Sequence, residues 1–187
     1  VFTTTRDTGG VAKIKHTWTN QAFSNLYAAT VSSEGYLVNP EPFSKEINSK
    51  FHESSAVFTK DGNTVYFTRN NYLNGKKRTN EADVILLKLY KAEKVNGKWD
   101  NISELPFNSN EYNTAHPALS PDDKTLYFAS DMPGTRGLSD IFKVSINDDG
   151  TFGTPENLGD QINTEGRETF PFVSQNNEFY LASDGHL

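Results

Sequence analysis

One hairpin occurs three times in this chain, and that repetition narrows the possible folds more than any other feature. Its clearest copy runs from His116 to Asp131. Ala118, Leu119 and Ser120 end one strand, Pro121, Asp122 and Asp123 supply turn chemistry, and Thr125 to Ala129 is a β-branched and aromatic run. Proline presets φ at the first turn position, and aspartate tolerates the conformations that follow. Upstream, Ala56 to Thr68 aligns with Pro117 to Ala129 without a gap, and Pro171 to Ala182 does the same downstream. The last turn position holds Gly62, Asp123 or Asn177, residue types that accept positive φ most readily. Asp61, Asp122 and Asn176 stand just before it and read as structural turn positions.

The segments between the hairpins repeat as well. Val1 to Thr4 resembles the end of a hairpin strand, followed by a polar loop over residues 5–24. Asn25 to Val31 reads as a strand, and Gly35 to Phe43 as a turn with a proline-interrupted, edge-like strand. In the second unit a basic loop is followed by a predicted strand from Asp83 to Tyr90, and Gly97 to Leu105 matches the Gly35 segment. In the third, Asp140 leads the alternating Phe142, Val144 and Ile146, and Gly150 to Leu158 closes the unit. Four strands recurring with a period of roughly 50–60 residues are the mark of a β-propeller. The expected fold is therefore all-β, with four-stranded antiparallel blades in one domain. The divisions are a partial blade over 1–50, blades over 51–111 and 112–164, and a partial blade over 165–187. A β-sandwich is the runner-up. Sustained apolar spacing of 3.6 residues is missing, so helices should be minor. Because closed rings take about four to eight blades, the chain is expected to form an incomplete ring, completed by remaining blades of the same chain.

Composition removes several classes. A net charge of −6 and a pI near 5.2 argue against non-specific nucleic-acid binding. No apolar run approaches the roughly 18 residues that a transmembrane helix needs. Without cysteine there are neither disulfides nor thiolate metal sites.

Residues with possible chemistry read mostly as structure. Asn25, Asp83 and Asp140 share one repeated position before the third strand of each unit, where a hydrogen-bonding role suits them better than a catalytic or metal-binding ring. Glu53 and Glu168 match each other, with Thr114 between them. The four histidines have no metal-ligand spacing, and His116 is replaced by Ser55 or Phe170 in the other copies. Asn147 to Gly150 reads as a hairpin turn because it lacks the spacing and bidentate glutamate of a calcium loop. Neither a nucleophile elbow nor a phosphate-binding glycine loop is present. No catalytic, cofactor or metal residue is therefore expected, and the chain is expected not to be an enzyme. The long loops between second and third strands carry Lys13, Lys15, His16, Trp18, Tyr72, Lys76, Lys77, Arg78, Met132 and Arg136. Gathered on one face of an acidic protein, these basic and aromatic residues suit a protein or glycan partner.

The Ser-Pro-Asp-x-Lys-x-Leu-Tyr-Phe pattern at 120–128 resembles the WD40-like repeat of TolB-like propellers. Together with Phe2 to Gly10, Asp140-Ile141-Phe142, Pro155 to Gly159 and Ile162-Asn163-Thr164, it is similar to the propellers of OmpA-family proteins in bacteria that use type IX secretion. The resemblance spans nearly the whole chain. Departures from the pattern are Asp123 for glycine, Gln175-Asn176 for Pro-Asp, and Asn25 for aspartate. The resemblance implies a periplasmic, outer-membrane-associated protein, without crediting peptidoglycan binding to these residues. The function expected from it is a non-catalytic scaffold that holds a protein partner of the secretion, gliding or envelope-anchoring machinery. The alternative is the propeller of a glycan-binding protein or a glycoside-processing enzyme.

Overall fold

The computed structural model describes residues 1–5 and 20–186. Among them every regular element is a strand. A three-stranded sheet contains β1 (Phe2–Thr4), β2 (Asn25–Val31) and β3 (Leu37–Pro42) in that order. The second sheet has β4 (Glu53–Phe58) and β5 (Thr64–Asn70), then β8 (Leu87–Val95) and β9 (Lys98–Glu104). Between β5 and β8 a small hairpin is inserted, β6 (Tyr72–Leu73) with β7 (Lys76–Lys77). A third sheet orders β10 (Thr114–Leu119), β11 (Thr125–Ser130), β12 (Asp140–Ser145) and β13 (Glu156–Asn157), and β14 (Glu168–Val173) pairs with β15 (Phe179–Ser183). All named pairings are antiparallel.

Strand periodicity explains how the sheets stack. In β5, Val65 and Phe67 face one way and Tyr66 the other. Val65 and Phe67 join Leu26, Ile47, Tyr90 and Ala92 in a core against the first sheet. Tyr66 joins Leu89, Leu119, Leu126, Phe128 and Phe142 in a core against the third. Both faces of β5 are thus buried, which is why its sequence is nearly continuous in large side chains. Each fully buried aromatic or aliphatic side chain contributes about 1.5–3 kcal/mol. An aromatic pair bridges adjacent strands in three sheets: Phe2 on β1 with Tyr27 on β2, Phe67 on β5 with Tyr90 on β8 and Phe128 on β11 with Phe142 on β12, centroids 6.1, 5.8 and 5.9 Å apart.

Two side-chain devices recur with this unit. The first is an asparagine that grips the strand carrying the second aromatic of each pair, β2, β8 or β12. Asn48 accepts from Leu26 N at 2.9 Å and donates to Leu26 O at 2.9 Å. Asn108 treats Leu89 alike (3.1 and 2.7 Å), and Asn163 treats Ile141 alike (2.8 and 3.0 Å). The second closes each hairpin: Asn70, Asp131 and Asp184 accept from the backbone N–H of His52, Asn113 and Arg167 at 3.1, 2.5 and 2.5 Å.

These repeats correct two alignments. The third strand of the second sheet begins at Leu87, not Asp83. Pairing of Tyr27, Tyr90 and Phe142 with the aromatic of the preceding strand makes Lys88 the counterpart of Asn25 and Asp140. Asp83 lies instead in an exposed turn at φ 58, its N–H donating to Asn80 O. The inserted β6–β7 hairpin lengthens this loop and displaces the match. The third hairpin is also one residue shorter than the others, since Ser174 N bonds Glu178 O where Ser120 N reaches Thr125 O. Finally, the segment from Gly150 to Leu158 forms an outer strand only at Glu156–Asn157, with Phe152 bridging Ile146 separately.

Candidate functional site

The first strands of neighbouring sheets lie side by side, β10 contacting both β4 and β14. Each pairs on one side alone, so their free edges converge, and a cleft of about 430 Å³ opens among them, lined by Val57, Phe58, Pro117, Leu119, Pro171 and Phe172. In each strand the ladder slips at the same place: between Ser54 and Ala56, Ala115 and Ala118, and Thr169 and Phe172. The residues at the slip are Ser55, His116 and Phe170, at φ 44, 56 and 49. The left-handed region costs a non-glycine residue about 1–2 kcal/mol. Three such residues at one repeated position of a convergent edge are stored strain of the kind that gathers at functional sites.

Side chains from two of these bulges meet. The His116 and Phe170 rings stack with centroids 3.8 Å apart and planes 20° from parallel. Phe170 is 56% exposed, so one member of the pair faces open space. Burial pushes His116 down to about 4, which makes the imidazole neutral near pH 7. Its Nδ1 is buried and has no hydrogen-bond partner. Beside the stack lies a smaller recess of about 200 Å³, bordered by Asn113, Asp131, Leu138, Ser139, Arg167 and Thr169. A flat neutral ring pair next to polar groups is suited to gripping an uncharged ligand that carries both apolar and hydroxyl surface.

The acids at the head of the inner strands diverge. Glu168 is fully buried; burial pushes its carboxyl up, but hydroxyls of Ser183 and Thr164 and the Thr164 N–H together hold it below the usual carboxylate range. Glu53 is equally inaccessible, and there burial wins, raising it to about 7 against the pull of Ser49 and Arg69. Arg69 Nε donates to Glu53 Oε1 at 3.1 Å. The remaining guanidinium donors reach Tyr72 O at 3.3 Å and Ile47 O, and the group lies over the Phe67 and Tyr90 rings. Lys88, also buried, pairs with Glu104 at 3.0 Å and Asn110 at 2.9 Å. Both glutamates are thus tied into the fold.

Other residues singled out in the sequence take varied places. Asp140 is fully buried, its Oδ2 accepting from Arg136 N at 2.9 Å and Asn157 at 2.6 Å. Asn25 donates to Phe23 O at 3.3 Å. Asp61 and Asp122 accept from the hydroxyls of Thr59 and Ser120 at 2.6 Å, and the Asn176 N–H donates to Ser174 Oγ at 3.2 Å. On the proposed partner face, Lys13, Lys15, His16 and Trp18 lie outside the described residues. Lys76 and Lys77 are exposed on β7, beside half-buried Tyr72. Arg78 pairs with Glu104 at 3.2 Å and Arg136 stands 3.9 Å from Asp160. Met132 does not belong to that face, because it is 7% exposed and packs in the core with Phe128 and Leu105. The bulge at Ser55, His116 and Phe170 was not legible as strain: three unlike side chains, none of them glycine or asparagine, conceal a shared left-handed backbone. The asparagine grip had a signal, the recurring Ile-Asn-Ser, Phe-Asn-Ser and Ile-Asn-Thr at 47–49, 107–109 and 162–164.

No protein-family model and no curated protein matches the chain. Solved structures do. A thermostable family-43 glycoside hydrolase is similar over 88% of this chain and 58% of its own, with a TM-score of 0.56 and 11% identity. A puromycin hydrolase is similar over 86% of this chain and 24% of its own (TM-score 0.50, 17% identity), and a puromycin-hydrolysing peptidase of Mycobacterium tuberculosis over 86% and 25% (TM-score 0.50, 11% identity). This chain thus spans between about a quarter and three-fifths of the structures it matches. At such identities the likeness shows the fold alone, a β-propeller-type all-β architecture. It overturns the expectation that the chain is not an enzyme: the matched propellers are those of hydrolases, and a repeat whose side chains mostly serve architecture is compatible with catalysis on the same fold.

Proposed function

We propose that this chain forms part of the propeller of a glycan-binding or glycoside-processing protein, with saccharide taken at the convergent inner edge. The observation that carries this reading is the His116–Phe170 stack, set on two strained bulges beside a polar recess. Sugar rings present apolar C–H faces and rims of hydroxyls, and a neutral aromatic pair flanked by amide, hydroxyl and charged groups offers both kinds of contact. The fold shared with a glycoside hydrolase supports it. Glycoside hydrolysis uses two carboxyl groups roughly 5–10 Å apart. Because Glu53 and Glu168 are held by Arg69, Thr164 and Ser183, the inner edge described here binds the sugar and does not itself supply that pair.

The test is calorimetric titration with neutral oligosaccharides, alongside assays with aryl glycosides and an aminoacyl arylamide. Binding or glycoside turnover that Phe170→Ala weakens by about tenfold or more supports the reading. Arylamide cleavage without any glycan response would overturn it in favour of a peptidase-type propeller. The cell-envelope location and an outer-membrane protein partner, supported by the repeat resemblance and the exposed Lys76 and Lys77, belong to the same proposal and are tested by fractionation and crosslinking.

A further inference from the structure

A second cleft, of about 450 Å³, lies away from the inner edge, between the connector that precedes β4 and the β6–β7 hairpin. Its borders include Lys45, Ser49, Lys50, Arg69, Tyr72 and Asn74. Both walls are held in place. Arg69, 3% exposed, donates to Ile47 O in the connector and to Tyr72 O in the hairpin, so one buried guanidinium ties the two together. Asn48 fixes the connector further through its grip on Leu26. Such walls need no ordering when a ligand arrives.

The cleft carries positive charge that the fold leaves open. The Lys50 ammonium lies over the Phe51 and Tyr72 rings, 5.7 and 5.3 Å from their centroids. Lys77 is not one of the residues lining the cleft, but it stands opposite Tyr72 in the hairpin register at the cleft's rim, and directly opposed residues share a face. Neither lysine pairs with a carboxylate among the described residues. The cleft's own acid, Glu46, is already engaged: the Ser44 hydroxyl donates to it at 2.8 Å and lowers its carboxyl, with Lys45 at 3.9 Å. On a chain of net charge −6, a fixed local excess of cations selects for anions against the overall field.

We propose that this cleft binds an anionic saccharide, its acid group set between Lys50 and Lys77 and its hydroxyls against Ser49, Asn74 and Tyr72. The inference rests on the glycan reading above and adds to it a charged subsite away from the inner edge. A volume of about 450 Å³ falls in the range of small-ligand pockets. Polar groups dominate the lining, with Tyr72, Leu73 and Ile102 as its apolar members, and that mixture of hydroxyl, amide and ring surface favours a sugar over an acidic peptide.

The test titrates the whole chain with hexagalacturonate, a neutral hexasaccharide and hexaglutamate, and repeats each titration with Lys50→Ala/Lys77→Ala. Both lysines are exposed, so the fold should survive, and Lys50→Arg/Lys77→Arg keeps the charge as a control. Hexagalacturonate should bind the native chain, weaken with salt, and lose about tenfold or more in the alanine variant while the arginine variant retains it. Neutral glycan binding should be unmoved by either variant. If the neutral glycan binds but hexagalacturonate does not, or binds the alanine variant equally well, the subsite is refuted and the inner-edge reading stands. If hexaglutamate binds as tightly as hexagalacturonate, the cleft is an acidic-peptide site and the proposal fails. If neither saccharide binds, both readings fall together.

Discussion

Replacing Asn163 with alanine should destabilise the fold far more than the loss of one polar side chain ordinarily does. Asn163 is 1% exposed. Its Oδ1 accepts from Ile141 N at 2.8 Å, and its Nδ2 donates to Ile141 O at 3.0 Å and Asn157 Oδ1 at 2.8 Å. Ile141 is itself fully buried, and its carbonyl keeps a bond from Leu158 N at 3.1 Å. The carbonyl therefore survives the substitution, whereas the N–H is left in a dry interior without an acceptor. An unsatisfied buried donor costs about 1–3 kcal/mol, and each further lost bond about 0.5–1.5 kcal/mol. The expected total is about 3 kcal/mol, read as a lowered urea midpoint at constant slope. Asn163→Asp should do no better, because an acid restores the acceptor for Ile141 but loses both donors and brings a buried charge. Asn48, only half-buried, should cost less on truncation. Asn108 and Asn163 lie in separate connectors and grip different sheets, so Asn108→Ala and Asn163→Ala should add to within about 0.5 kcal/mol. A loss below about 1 kcal/mol for Asn163→Ala would show that water replaces the side chain and that the grip is ornamental.

Three other outcomes are expected. Glu53, raised to about 7, contributes stability that is complete below its unfolded value near 4.5 and is lost as pH rises through about 7; His116, lowered to about 4, contributes stability present above about 6.5 and lost as pH falls towards 4. The two slopes oppose each other between about pH 4.5 and 6.5, so Glu53→Gln should unmask stability rising with pH and His116→Asn stability falling with pH, in denaturant titrations across that window; parallel profiles for both variants would contradict the assignment. Ser55→Gly, which relieves a left-handed φ of 44, should be neutral or stabilising by up to about 1 kcal/mol in thermal unfolding, and a clear loss would mean the bulge is unstrained. Gly137→Ala would place a Cβ 2.5 Å from the backbone of Glu165 and Gly166, so it should cost about 1–3 kcal/mol, and an unchanged midpoint would show that the loop simply moves aside.

Much of the architecture is written in residues whose role is local. Pro121 and the Thr125 to Ala129 run announce a hairpin wherever they recur, because turn and strand chemistry act over a few bonds. Pro40 and Pro42 mark β3 as an outer strand, since proline cannot donate to a further neighbour. The alignment failed where an insertion broke the spacing: with β6 and β7 in the loop, Asp83 took the place that belongs to Lys88. Met132 misled for another reason, as a loop position says nothing about whether the loop folds inward. The strained inner edge was hidden most thoroughly. Positive φ there is imposed by the slipped ladder and not by the side chains, so Ser55, His116 and Phe170 give no shared sign of it.

The bulges also bear on how firmly successive sheets are joined. Ser55 N donates to Thr3 Oγ1 of the first sheet at 3.4 Å, and His116 N donates to Thr68 Oγ1 of the second at 2.8 Å. At the next junction the corresponding residue of β11 is Ala129, paired with Ile141 as Thr3 is with Leu26 and Thr68 with Leu89. A methyl group cannot accept that bond; at this junction the His116 and Phe170 rings stack, and the backbones are tied nearby, Glu168 N donating to Ser139 O at 2.8 Å and Leu138 N to Gly166 O at 2.9 Å. Hydrogen bonds fix position along every direction, while stacked rings resist separation but permit sliding. The head of β14 is thus pinned to the third sheet by hydrogen bonds while its bulge is met by stacked rings, so within this junction the proposed sugar-binding stack is the part that can slide.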